Sequence, residues 1–156
     1  MDNSIGNCQK ARRNIKIADH MANVIYPVVK ERKMLLSAIE NIFLAASYSM
    51  SALLHNEREF KRLPPFDNSF DSWLEIFKNR CCKAYKIEQK YISFIEEIKD
   101  LLTETKRPQQ QNGPIIMMSK KGAITTVEIK QYISTAKEFS KRIEEILAQN
   151  GPYARM

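Results

Sequence analysis

Residues 34–54, Met34-Leu-Leu-Ser-Ala-Ile-Glu-Asn-Ile-Phe-Leu-Ala-Ala-Ser-Tyr-Ser-Met-Ser-Ala-Leu-Leu54, are apolar or small almost all the way round a helix. A helix without a broad polar face must be enclosed by protein or by lipid. Glu40 and Asn41 lie inside the run, serines and alanines fill much of the rest, and every other helical pattern in the chain has a charged face. A central carboxylate is costly in a bilayer, so the run is expected to be the buried rod of a bundle and not a membrane span.

The 156 residues suffice for one domain with a substantial core and are too few for two comfortable ones. With only 4 glycines and no long alternation of β-branched residues, a sandwich, a barrel or a Gly-looped nucleotide fold is not expected. The fold class is therefore all-α, a bundle of four to five helices spanning residues 1–156 as a single domain.

Around the rod, the apolar spacing predicts a first helix over 8–26, with Ile15, Ala18, Ala22 and Ile25 on one stripe and Ile17, Met21, Val24 and Val28 widening it, ended or kinked by Pro27. The rod's helix runs from about Glu31 to Lys61, before Pro64-Pro65. Asp67-Asn-Ser-Phe-Asp71 supplies capping residues for a third helix with Phe70, Trp73, Phe77 and Cys81 on one face, ending or bending near Tyr85-Lys86. Ile87, Tyr91, Phe94, Ile95, Ile98, Leu101 and Leu102 mark a fourth. The capping-box pattern Thr125-Thr-Val-Glu128 opens the last, carried by Ile129, Ile133, Ala136, Phe139, Ile143 and Leu147 and ended by Asn150-Gly-Pro152. Between them, 108–124 is a surface excursion, with a short hairpin expected where Ile115-Ile-Met-Met118 and Ala123-Ile-Thr-Thr-Val127 flank a Ser-Lys-Lys-Gly turn.

The formal charge of +7 draws the chain towards polyanions, with RNA or a ribonucleoprotein the leading partner on charge grounds. The cations singled out as a binding set are Lys10, Arg12, Lys16, Lys61 and Arg62. In Phe60-Lys-Arg-Leu-Pro-Pro-Phe66, two cations stand between aromatics, suited to a phosphate backbone; the plainer role is a corner pinned by Phe60, Leu63 and Phe66 packing on Trp73. His55-Asn-Glu-Arg58 is expected to be exposed surface, and Glu40 to pair with a basic residue of a neighbouring helix or to lie at a subunit contact. Small residues Ala38, Ala45, Ala46, Ser49 and Ala52 suit close helix approach, either in a homodimer, which is the expected state, or within one subunit.

Cys8, Cys81 and Cys82 have no zinc-like spacing, and no Glu-x-x-His motif appears, so neither a metal nor a cofactor is expected. The odd cysteine count fits a reducing, cytoplasmic setting, and the first residues lack the apolar stretch of a signal peptide. No P-loop, Rossmann glycines or nucleophile elbow is present.

One arrangement has a catalytic reading. Arg13 and His20 are seven positions apart, which on a helix places them within roughly 20° of one another and about 10 Å apart along the axis. A histidine titrating near neutrality moves protons, and an arginine stabilises a phosphorane-like anion, as metal-free RNA cleavage at a 2′-hydroxyl requires. With Asn14 following Arg13, the segment resembles the motif of the HEPN family. That resemblance implies a small all-α bundle, frequently dimeric, with His20 as acid/base, Arg13 as phosphate stabiliser and Asn14 as an orienting residue of a ribonuclease. The plainer expectation is that His20 sits at the edge of the core stripe and Arg13 in solvent.

Ala11-Arg-Arg-Asn-Ile-Lys-Ile-Ala-Asp-His-Met21, Ala38-Ile-Glu-Asn-Ile-Phe-Leu-Ala45 and Phe60-Lys-Arg-Leu-Pro-Pro-Phe66 together are also similar to a group of small archaeal proteins, which implies a cytoplasmic archaeal protein and supplies no activity. The resulting expectation is a non-enzymatic binding or interaction module. A ribonuclease using Arg13, Asn14 and His20, and a structural partner of another protein, are the alternatives.

Overall fold

Pro27 does not end the first helix, because the chain widens one turn ahead of it. The computed structural model describes residues 4–105, 117–119 and 122–150. In it, α1 (Ser4–His20) passes into a π-helical turn (Met21–Ile25), where the Tyr26 N–H donates to the Met21 carbonyl, and then into α2 (Tyr26–Val29), which stops at left-handed Lys30. The five-residue bond inserts one extra residue, accommodating a ring that offers no N–H. That residue also rotates everything downstream by about 100° about the axis. Ile15, Ala18 and Ala22 are buried as the stripe predicts, but Val24 and Val28, expected to widen it, face outward, Val28 at 82% exposure.

The rod is α3 (Arg32–Glu59), and it packs against α1 and against three later helices of the chain. From Ala45 to Leu54 every residue except Tyr48 is buried. Its first half is less enclosed: Glu40 is exposed, and Leu44 is 41% exposed. Asn41 donates to the Ser37 carbonyl (2.8 Å), which satisfies the amide within the helix. Ala38, Ala45, Ala46, Ser49 and Ala52 are all buried inside the subunit, so their smallness serves internal packing and a second copy would have to dock elsewhere.

After the prolines, Ser69 caps α4 (Phe70–Ile76), its hydroxyl accepting from the Ser72 N–H. A second π-helical turn (Phe77–Cys81) leads into α5 (Cys82–Tyr85), closed by left-handed Lys86. Next come α6 (Gln89–Thr105), the antiparallel pair β1 (Met117–Ser119) and β2 (Gly122–Ile124) with Met117 opposite Ile124, and α7 (Thr126–Asn150). The hairpin therefore forms, and its second strand ends at Ile124. The Glu128 carboxylate accepts from the Thr125 N–H (2.9 Å) and hydroxyl, so Thr125 turns into the helix instead of extending the strand. The rest of the 108–124 excursion, and Gly151-Pro152, lie outside the described residues.

The core is one cluster in which Phe77 and Phe139 meet edge to face (5.8 Å) and Tyr91 stacks tilted on Phe139 (5.4 Å). The architecture is the all-α bundle expected around α3, and among the described residues no helix is long and apolar enough to cross a membrane.

Candidate functional site

The C-terminal end of α3 closes with a Schellman motif: Lys61, at φ 60°, gives its N–H to the Arg58 carbonyl, and Arg62 gives its N–H to that of Glu57 (2.8 Å). This reversal folds the Arg62 side chain back onto the helix it has just left. Leu63 then buries beside it and fixes the corner ahead of Pro64-Pro65. Phe66 packs edge-on against His55 (5.7 Å), and His55 in turn meets Trp73 (6.2 Å). The corner is thus pinned through His55, while Phe60 stays exposed with the Arg62 guanidinium over its ring (4.9 Å). His55-Asn-Glu-Arg58 is not the surface stretch expected of it: Asn56 and Glu57 are buried, His55 is half-buried, and only Arg58 is exposed. A polar tetrad at a helix end looks solvated in one dimension, and here the folded-back corner and the neighbouring helix cover it.

Across from this corner runs the segment from the second π-turn through α5. Cys81 points into the core, while Arg80, Lys83 and Ala84, at helical spacing i, i+3 and i+4, share the side that faces Arg62 across a cleft. Tyr85 lies on its wall. Its hydroxyl donates to Glu57 Oε1, and Arg62 Nη1 donates to the same oxygen (3.1 Å) and lies 3.4 Å from the Tyr85 oxygen. Arg142 of α7 holds the end of α5 in place by donating to the Tyr85 carbonyl (2.9 Å). The resulting cleft has a volume of about 510 Å³, with Glu57, Arg62, Arg80, Lys83, Cys81 and Tyr85 on its walls.

Burial, then the bond to Glu57 and its charge, pushes the Tyr85 phenol up to about 12, against the opposing pull of Arg62. Burial, followed by Glu57 and Cys82, pushes the Cys81 thiol to about 12, and burial raises Cys82 to about 11 despite nearby Lys78. Both thiols are therefore protonated at neutral pH, as poor nucleophiles and poor metal ligands. Among the described residues, no group of three or more His, Cys, Asp or Glu side chains could hold a metal ion. Arg80 and Lys83 on the walls of the cleft are exposed, and no ion pair engages either among the described residues.

Compared with protein-family models, curated proteins and solved structures, the chain finds no match. The site must be read from its own geometry.

The residues singled out in the sequence divide between two regions. Arg62 lines the cleft, and Lys61 stands beside it in the corner. Lys10 lies over the Tyr48 ring (5.4 Å), Arg12 pairs with Glu144 of α7, and Lys16 is exposed on α1. Arg13 and His20 are both exposed and Asn14 is half-buried. Asp19, beside His20, is held below the usual carboxylate range by the Asn23 amide and then by Lys137 (3.1 Å). The Asn7–Ser51 bond (3.2 Å) sets α1 against α3. At 1.5 Å per residue, His20 lies about 20 Å from that bond and Glu57 about 9 Å on the other side, so the two regions are about 30 Å apart along the bundle. Sequence reasoning missed Glu57, Arg80, Lys83 and Tyr85. Only the i, i+3 pairing of Arg80 and Lys83 left a local signal.

Proposed function

We propose that the protein is a non-enzymatic binding module for RNA or a ribonucleoprotein, and that the α3–α4 corner with its adjoining cleft is the surface that grips the phosphate backbone. The observation that carries this reading is the convergence of Arg62, Arg80 and Lys83 on one cleft beside exposed Lys61 and Phe60. Cations next to an exposed aromatic suit single-stranded nucleic acid, in which a base can stack while phosphates are neutralised. The α1 cations are a weaker footing, since Arg12 is already paired with Glu144.

Fluorescence anisotropy with a labelled single-stranded RNA tests it. Four phosphate contacts at the single-strand slope of about −0.7 each weaken binding by about fifty-fold between roughly 50 and 200 mM salt. Lys61→Ala and Arg80→Ala should each lessen that slope, and His20→Ala should leave it unchanged. RNA that does not bind, or binds without salt dependence, rejects the reading and favours a protein partner.

The second reading is a HEPN-like metal-independent ribonuclease. It is favoured by the exposure of both Arg13 and His20 on α1, where a strand could reach them. It requires RNA cleavage that persists in chelator and is lost in His20→Ala and Arg13→Ala.

A further inference from the structure

From the charge of the cleft, and resting on the RNA-binding reading above, we infer that it is a receptor for the terminal phosphomonoester of an RNA strand. Three cations, Arg62, Arg80 and Lys83, stand against the one carboxylate of Glu57, leaving a formal excess of two positive charges. An internal phosphodiester brings a single negative charge, whereas a phosphomonoester brings about 1.5 to 2 near neutrality, which matches the cleft. The bond from Tyr85 to Glu57 ties α5 to α3 at the wall of the cleft. The volume of about 510 Å³ is that of a small-ligand pocket, which commonly spans about 300–1,000 Å³.

The geometry divides the labour. Glu57 and the Tyr85 hydroxyl hold Arg62 from behind, so that its guanidinium is oriented before any ligand arrives. Arg80 and Lys83, one turn apart on the opposite wall, supply the charge that faces it. The Phe60 ring, against the Arg62 guanidinium and partly exposed in the adjoining corner, offers a stacking surface for the terminal base. Glu57 and Tyr85 are positioning residues in this scheme.

The test compares one RNA sequence prepared with a 5′-phosphate, with a 3′-phosphate and with hydroxyls at both ends, using the full chain. At least one phosphorylated form should bind about ten-fold or more tightly than the hydroxyl-ended strand, the effect of one good charge-assisted contact. The advantage should shrink as pH falls through the second phosphate ionisation near about 6. It should vanish in the Arg80→Ala/Lys83→Ala double variant, whose sites are exposed and whose folding is checked by thermal denaturation. Equal affinity for all three strands, or an advantage that survives the double variant, overturns the inference and leaves RNA binding in place. A 5′-mononucleotide that binds as tightly as the phosphorylated strand overturns it in favour of free nucleotide. Failure of every strand to bind overturns this inference and the RNA reading together.

Discussion

The Tyr85 hydroxyl donates to the buried carboxylate of Glu57, 28 positions earlier in the chain, and so ties the end of α5 to the end of α3. Arg62 completes the cluster from the corner between them. With Glu57 only 5% exposed, these two donors satisfy its carboxylate in place of water.

Tyr85→Phe therefore destabilises the protein by about 1–3 kcal/mol, because the carboxylate stays buried with one partner fewer. Lys90→Ala serves as the comparison: its pair with Glu138 (3.5 Å) joins two half-exposed side chains screened by solvent, and its loss should cost clearly less than loss of the buried bond. Urea denaturation of both variants measures the difference, and equal effects would contradict the buried cluster.

The same region makes the fold sensitive to alkali. Tyr85 and Cys81 are raised to about 12 and Cys82 to about 11, while burial and then Glu97 raise Tyr132 to about 12. Each group holds its proton longer folded than unfolded, so the stabilisation is complete below the ordinary thiol and phenol values and is lost as pH rises through the folded ones. Urea midpoints should fall steadily from about pH 9 to about pH 12. The double variant Tyr85→Phe/Cys81→Ala should have a shallower decline over that window.

Lys61→Gly separates stability from binding. A lysine at positive φ costs about 1 kcal/mol relative to a residue without Cβ, partly offset by the charge it places at the negative end of α3. The glycine variant should gain up to about 1 kcal/mol in stability. Its RNA affinity should lose salt dependence by about 0.7 in the logarithmic slope. A stabilised variant with an unchanged slope would remove Lys61 from the interface.

Two neighbouring positions on α3 test its enclosure. Ile42 is fully buried and Leu44 is 41% exposed. Ile42→Ala should cost about 2–5 kcal/mol through lost burial and the cavity left behind, and Leu44→Ala no more than about 1 kcal/mol. Thermal or chemical unfolding reads both directly.

Much of the bundle was legible because its signals are local. Phe94, Ile95, Ile98 and Leu101 repeat at helical spacing and are buried together, and Glu128 serves Thr125 three residues away. The π-turns were not legible, since one inserted residue leaves no periodicity of its own; Val24 and Val28 turn outward as a result. The site was legible only at Lys61 and Arg62. Glu57 sits in a tetrad whose composition resembles surface, and Tyr85 carries no local mark of a partner 28 positions away.

By itself the sequence determined the helical class, the central place of α3 and the positions of most helix ends, because periodicity, caps and prolines act within a few residues of where they stand. Tertiary structure alone decided that Glu57 would be covered, that Tyr85 would reach it, and that Arg80 and Lys83 would face Arg62. Those relations depend on how α3 and α5 meet, and long-range approach is set by the packing of the whole core rather than by any local stretch of chain.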